Sequence, residues 1–217
     1  MHVSTHIEEH IIREAQAFFA HARPTHDWAH VLRVHALATH IGAVEGADEM
    51  VVSYAAYLHD VGRCQEEADP SLCHALCGAQ IARDILRRCG LMPSCIEAVV
   101  HCVETHRFRG GLVPRTLEAR VLYDADKLDA IGAIGVARAY AYAGEHNQRL
   151  VTPFEPDSYG GLGINHAEHS PVKEYYVKLS KLKDRMLTSE GRRMAMERDA
   201  FMQAFFHRLE MESRGEL

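Results

Sequence analysis

One stretch constrains this chain more than any other. Ala55-Ala56-Tyr57-Leu58-His59-Asp60-Val61-Gly62 is an apolar helical run that closes on a histidine and an aspartate side by side. Neighbouring residues on a helix point in different directions, so a His-Asp doublet in an apolar setting has no packing logic unless both side chains turn toward a common object at the helix end. A divalent metal ion is that object: neutral imidazole and carboxylate together suit Mn²⁺, Fe²⁺, Ni²⁺, Zn²⁺ or Mg²⁺, and such a site draws further ligands from elsewhere in the chain. His30 upstream and Asp126 downstream are the candidates.

A chain of 217 residues with 47% hydrophobic content can bury one full core, and nothing in its composition demands a second domain. We therefore expect a single domain over residues 1–217, with a core at about 26–144, a loop or lid at 145–170 and C-terminal helices at 171–212. The balance of 24 basic against 30 acidic side chains gives a formal charge of −6, which disfavours a nucleic-acid polymer as partner. Small anionic substrates stay open, because a metal neutralises them at one point. No apolar run approaches the roughly 20 residues that span a bilayer, and Met1-His2-Val3-Ser4-Thr5-His6 lacks the charged and apolar regions of a signal peptide, so a cytoplasmic protein without a membrane partner is expected. The six cysteines, at 64, 73, 77, 89, 95 and 102, then read as reduced thiols. Cys73 and Cys77 flank His74 at a spacing that invites zinc, but no second Cys/His pair follows at finger-like distance, and they read as small side chains on a helix.

Apolar residues recur at helical spacing along nearly the whole chain and no stretch alternates convincingly, so the fold class is all-α. Thr5 and Glu8 form a capping box for a first helix reaching about residue 21, and Pro24 breaks it. Asp27 caps the second, whose buried face holds Val31, Val34, Leu37, Ala38 and Ile41. A third runs from about 48 to 60 and stops at Gly62; residues 63–72 read as a charged loop. A fourth helix ends near Gly90, and Ser94 with Glu97 opens a fifth that delivers His101, Glu104 and His106. The sixth carries Asp124, Asp126, Lys127 and Asp129 and continues into the small-residue run 130–144. After the glycine- and proline-rich segment 144–171, Ser170-Pro171 starts an amphipathic helix to about Met186, and a last helix covers about 190–210.

His30-Val31-Leu32-Arg33-Val34, Ala56-Tyr57-Leu58-His59-Asp60-Val61-Gly62 and Asp124-Ala125-Asp126-Lys127-Leu128-Asp129 together resemble the three signature segments of the HD-domain metal-dependent phosphohydrolases. His26-Asp27-Trp28, the segment Asp129-Ala130-Ile131-Gly132-Ala133-Ile134-Gly135-Val136-Ala137-Arg138 and Lys178-Leu179-Ser180-Lys181-Leu182-Lys183-Asp184 bring the similarity closest to the small bacterial YedJ/YpgQ-like HD hydrolases, over about residues 26–206. The resemblance implies a single-domain HD-type helical bundle and a metal, manganese favoured, held by His30, His59, Asp60 and Asp126. Of the neighbouring candidates, it selects His30 over His26 and His35, and Asp126 over Asp124 and Asp129. Two imidazoles and two carboxylates bring a divalent charge near neutrality, leaving an ion able to polarise a phosphoryl oxygen and activate water.

The implied activity is hydrolysis of a small phosphorylated metabolite, a nucleotide foremost, with cleavage of a nucleoside triphosphate to monophosphate and pyrophosphate as one form. Arg33, Lys127 and Arg138 are candidates for phosphate oxygens, because their cationic donors match them. His74 and His106 fall where related proteins with two metals place additional ligands; with one metal they, with Asp60, become the catalytic candidates that contact substrate or relay protons. Those same histidines motivate an alternative, a dinuclear-iron oxygenase on the same fold, and a non-catalytic nucleotide or metal sensor is a third reading. The chain departs from the subfamily at Glu174-Tyr175-Tyr176, where relatives commonly show a histidine before an aromatic residue. Oligomeric state is not legible in the sequence.

Overall fold

In the computed structural model, residues 2–20, 22, 24–107, 111–152 and 169–217 are described below. Among them every regular element is a helix, and the chain forms two compact units, Met1–Asp126 and Lys127–Leu217.

The first unit holds α1 (His2–Ala17), a 3₁₀ turn (Pro24–His26), α2 (Trp28–Glu45), α3 (Glu49–Leu58), α4 (Arg63–Ala68), α5 (His74–Arg88), α6 (Pro93–Thr105) and most of α7 (Leu117–Leu128). Its centre is α3, which packs against α1, α2 and α6 while α5 lies along α6. Every residue of α3 from Val51 to Leu58 is buried, which explains why that sequence shows no polar stripe. Val31, Val34 and Ile41 of α2, Ile85 and Leu86 of α5, Val99 and Val103 of α6 and Leu122 of α7 complete the core, each side chain worth about 1.5–3 kcal/mol of apolar burial.

Capping fixes where the site-bearing helices begin. Asp27 accepts a hydrogen bond from the His30 amide at 3.0 Å, so α2 starts with His30 in its first turn, and Gly46 ends it in the left-handed region at φ 81°. Asp48 caps α3 the same way through the Val51 amide at 3.1 Å. Both expected capping boxes are corrected. Helix α1 already begins at His2, ahead of Thr5, and Glu8 instead accepts from Ser53 Oγ at 3.2 Å. Helix α6 begins at Pro93, with Met92 at the cap position and no side-chain cap, while Glu97 pairs with Arg83 at 2.7 Å. Residues 63–68, expected as loop, form the short helix α4.

The second unit comprises α8 (Gly132–Glu145), α9 (Pro171–Val177), a 3₁₀ helix (Leu179–Arg185) and α10 (Ser189–Ser213). Helix α10 packs on α8 and the 3₁₀ helix, and α9 on the same two, around Val136, Val172, Leu182, Met186 and Met202 and a stacked Tyr175–Phe206 pair with centroids 4.6 Å apart. Ser170 caps α9 as expected, accepting from the Lys173 amide at 3.1 Å. Two expected continuities break. Helix α7 ends at Leu128 and the chain restarts through Gly132, whose φ of 77° a β-carbon-bearing residue seldom adopts. The helix expected from 171 to 186 changes to 3₁₀ after Lys178, where φ and ψ are −131° and −55°. Of the expected lid at 145–170, residues 153–168 lie outside the described residues.

Candidate metal centre

Six side chains delivered by five stretches of the first unit meet in its interior. His30 comes from the first turn of α2, His59 and Asp60 from the end of α3, His74 from the first position of α5, His106 from the residue after α6 and Asp126 from α7. His30, His59, Asp60, His74 and His106 are at most 4% exposed. His30 Nε2 lies 3.2 Å from His59 Nε2, 3.5 Å from Asp60 Oδ2 and 3.6 Å from Asp126 Oδ1, and His59 Nε2 lies 3.6 Å from Asp60 Oδ2. On the other side of the same carboxylate, Asp60 Oδ1 is 3.3 Å from His106 Nε2 and 3.6 Å from His74 Nε2. Asp60 is therefore shared by two triads whose donor atoms all lie within 4.8 Å of one another, His30–His59–Asp60 and Asp60–His74–His106.

These separations fit a metal ion. Donors bonded to one ion at about 2.1 Å stand roughly 3.0–3.4 Å apart along the edges of its coordination polyhedron, and the observed spacings fall at or just beyond that. The imidazoles are also poised in one tautomer. His59 Nδ1 lies 2.8 Å from Ala56 O, His106 Nδ1 2.6 Å from Val103 O and His74 Nδ1 2.6 Å from Glu66 Oε2. A carbonyl or carboxylate oxygen only accepts, so each Nδ1 carries the proton and each Nε2 turns a lone pair inward, the arrangement common to metal-ligating histidines. Asp60 Oδ1 is buried and, among the described residues, takes no hydrogen bond; an oxygen so placed loses its hydration without replacement unless a cation sits beside it.

Electrostatics point the same way. Burial pushes the His59 imidazole down to about 4 against the pull of Asp60, and burial likewise lowers His74, so both stay neutral as ligands must. Burial opposes ionisation of Asp60, but the Arg63 guanidinium beside it outweighs that and holds its carboxyl well below the usual range. Arg63 Nε donates directly to Asp60 Oδ2. Neither Arg63 nor Glu66 was among the residues singled out in the sequence. Arg63 had a signal, since it stands three positions after Asp60. Glu66 lay in a stretch expected to be loop, and only its helical placement in α4 carries it to His74.

The structure brings together all six residues expected as ligands or catalytic groups, and it separates the competing histidines. His35 turns away to Ser53 Oγ at 2.9 Å and stacks on Tyr57, whereas His26 stands edge-on to His30 with centroids 5.6 Å apart. Of the competing aspartates, Asp129 is engaged by Arg138 at 2.8 Å, and Asp124 is buried. Among the phosphate candidates, Arg33 is half-buried on α2 and Lys127 is buried beside Asp126 in sequence. Arg138 is held by both the main-chain and side-chain oxygens of Asp129. Neither metal-compatible group contains a cysteine, and Cys73 and Cys77 are free thiols. His101 is structural, accepting from the Arg115 amide at 3.1 Å. Among the described residues, no helix is long and apolar enough to cross a membrane.

Comparison with known proteins gives this geometry a context. The HD domain family model matches residues 27–131, a span that holds all six clustered side chains. The uncharacterized protein YpgQ of Bacillus subtilis is 34% identical over 194 residues, 88% of this chain and 85% of its own. The crystal structure of B. subtilis YpgQ in complex with ADP is similar at a TM-score of 0.76 and 28% identity, covering 97% of this chain and 96% of that one. An HD-superfamily hydrolase from Bacillus thuringiensis matches at a TM-score of 0.76 and 26% identity over 97% of this chain and 98% of that one. With the matched segment carrying the clustered histidines and aspartates, and with relatives of this extent, the chain belongs to the HD-superfamily hydrolases.

Proposed function

We propose that this protein is a metal-dependent phosphohydrolase acting on a small phosphorylated metabolite, a nucleotide, and that its reaction is hydrolysis of a nucleoside triphosphate to monophosphate and pyrophosphate. One observation carries the reading: His30, His59 and Asp60 place their donor atoms 3.2–3.6 Å apart in a buried site, and Asp126 Oδ1 reaches His30 Nε2 at 3.6 Å. The ADP in the YpgQ crystal structure supports a nucleotide as the ligand. A divalent ion held by these four residues, Mn²⁺ foremost, supplies a polarised phosphoryl oxygen and a water acidic enough to serve as nucleophile. Around it, Arg63 fixes the Asp60 carboxylate, and the backbone acceptors at Ala56 and Val103 keep His59 and His106 with Nε2 unprotonated. Asp60, His74 and His106 are the catalytic groups in this reading, with the two Nε2 atoms able to take and return a proton. Arg33, on the same helix as His30, is assigned to the phosphate oxygens as a multiple N–H donor.

Purified protein loaded with Mn²⁺ and screened against nucleoside triphosphates, diphosphates and phosphomonoesters tests this. Pyrophosphate release from a triphosphate, reduced to background in Asp60→Ala and abolished by chelation, is the expected result; no turnover with any of Mn²⁺, Ni²⁺, Mg²⁺, Fe²⁺ or Zn²⁺ overturns it. The Asp60–His74–His106 triad favours one second reading, a dinuclear-iron oxygenase built on the same side chains. Two irons per chain together with substrate-dependent oxygen consumption would establish that reading in place of the first.

A further inference from the structure

We propose that Glu66 and Arg107 are positioning residues for His74, forming a clamp that sets the tautomer and aim of its imidazole at the metal centre; this rests on the metal-dependent reading above. The clamp is a chain of contacts within the first unit. Arg107 Nη1 lies 2.8 Å from Glu66 Oε1, and Glu66 Oε2 lies 2.6 Å from His74 Nδ1. His74 Nε2 in turn faces Asp60 Oδ1 at 3.6 Å. The two carboxylate oxygens of Glu66 thus have separate partners, one cationic and one imidazole.

Two other clustered histidines show why His74 needs such a device. His59 and His106 follow the last turn of their helices and give their Nδ1 protons to carbonyls three residues back, Ala56 O and Val103 O. His74 is the first residue of α5, with no preceding turn to offer a carbonyl. Its Nδ1 proton goes instead to a carboxylate on α4. A glutamate on a short helix has three side-chain torsions to fix, and Arg107 fixes them from the far side. Arg107 is itself held at a second point, because the same Nη1 donates to Cys73 Sγ at 3.3 Å, and Cys73 is the cap residue directly before His74. The guanidinium therefore ties the start of α5 to the carboxylate that orients its first side chain, with planar geometry that a lysine ammonium lacks. A carboxylate–histidine contact of this kind raises the basicity of the inward-facing nitrogen as well as fixing the ring, and at a metal centre its removal typically costs roughly 10–100-fold in metal affinity or activity.

The test compares wild type with Glu66→Ala, Glu66→Gln, Arg107→Ala and Arg107→Lys. Imidazole ¹H–¹⁵N correlation spectra of the metal-free proteins report the His74 tautomer, and Mn²⁺ titration by calorimetry reports affinity and stoichiometry. Wild type is expected to show His74 protonated on Nδ1. In Glu66→Ala that signature gives way to a mixture of tautomers, and Mn²⁺ affinity falls roughly 10–100-fold. Arg107→Ala moves both readouts in the same direction by less, and Arg107→Lys restores part of the loss. Glu66→Gln keeps an accepting oxygen and so retains the tautomer while losing affinity, which separates a positioning effect from misfolding. Wild-type tautomer and wild-type Mn²⁺ affinity in both alanine variants overturn the clamp while leaving the metal reading intact. A wild-type protein that takes up no divalent ion overturns both.

Discussion

Gly62 measures how tightly the histidine–aspartate pair is enclosed. A β-carbon built there would stand 2.2 Å from His74 O and 2.5 Å from Gly78 N, both main-chain atoms, although its φ of −88° suits any residue. The glycine is needed for close approach, since the turn after Asp60 runs against the first turns of α5 and brings His74 to the carboxylate. Gly62→Ala is therefore expected to destabilise the fold by about 1–3 kcal/mol as an overpacked site, lowering Tm by roughly 2–4 °C for each kcal/mol in a chain of this size. It should also weaken Mn²⁺ binding, because the strand of chain that must shift carries His74. Gly78→Ala is the control: its β-carbon would meet nothing nearer than 3.4 Å, so near wild-type Tm and affinity are expected. Equal effects of the two substitutions in differential scanning fluorimetry would contradict this account. At this scale the sequence was most informative where chemistry is unusual. His59-Asp60 stands out on an apolar helix, and His30 and Asp126 follow as partners. Glu66 and Arg107 do not stand out, because a glutamate in a charged segment and an arginine after a helix are ordinary until α4 and α6 bring them within 2.8 Å of each other.

Helix boundaries show the same division. Asp27, Asp48 and Ser170 accept from the amide three residues on; Asp27 and Ser170 are legible as caps because each directly precedes an apolar-periodic segment, whereas for Asp48 the sequence gives only the approximate start of the helix. Thr5 with Glu8 and Ser94 with Glu97 carry the same local pattern but do not start helices; Glu8 and Glu97 have distant partners, Ser53 and Arg83, that no window of sequence displays. The break between α7 and α8 was hidden by a run of small residues compatible with helix, and α4 by its shortness and charge. Helix α9 offers a test of what holds a short helix in place. Its Glu174 receives His169 at 3.0 Å from before the cap and Lys178 at 2.6 Å from the last turn. Burial opposes its ionisation, but these two partners pull its carboxyl down to about 2. The ionised side chain is thus favoured in the folded state, so its contribution is fully present above the unfolded value near 4.5 and is lost as pH falls from there toward 2. Glu174→Gln should remove that dependence: between pH 6 and 3.5 the wild type is expected to lose about 1 kcal/mol more unfolding free energy than the variant. Urea titrations at the two pH values measure the difference, and parallel losses would show that the pair contributes nothing.

For the molecule as a whole, the distribution of the clustered residues decides what metal removal does. His30, His59, Asp60, His74, His106 and Asp126 all belong to the unit Met1–Asp126, and an ion bonded to any four of them cross-links helices that are far apart in sequence. Such a ligand binds the folded state and not the open chain, so it stabilises by RT ln(1 + [L]/Kd), about 2.7 kcal/mol at a hundredfold excess over Kd. For 217 residues that corresponds to a rise in Tm of roughly 5–10 °C. The stabilisation has a second source, since without a cation the cluster leaves the inward Nε2 lone pairs of His59, His74 and His106 facing carboxylate oxygens of Asp60, an arrangement of like partial charges that a bound ion relieves. Chelation of the Mn²⁺-loaded protein should lower Tm by that amount, re-addition should restore it, and Asp60→Ala should respond to neither. Hydrogen exchange locates the effect: protection gained on adding Mn²⁺ is expected at the start of α2, the end of α3 and in α7, where the four ligands sit, and at the start of α5 and the end of α6 beside them. A Tm unmoved by chelator and metal alike, or protection confined to the unit Lys127–Leu217, would mean that these side chains do not close on an ion.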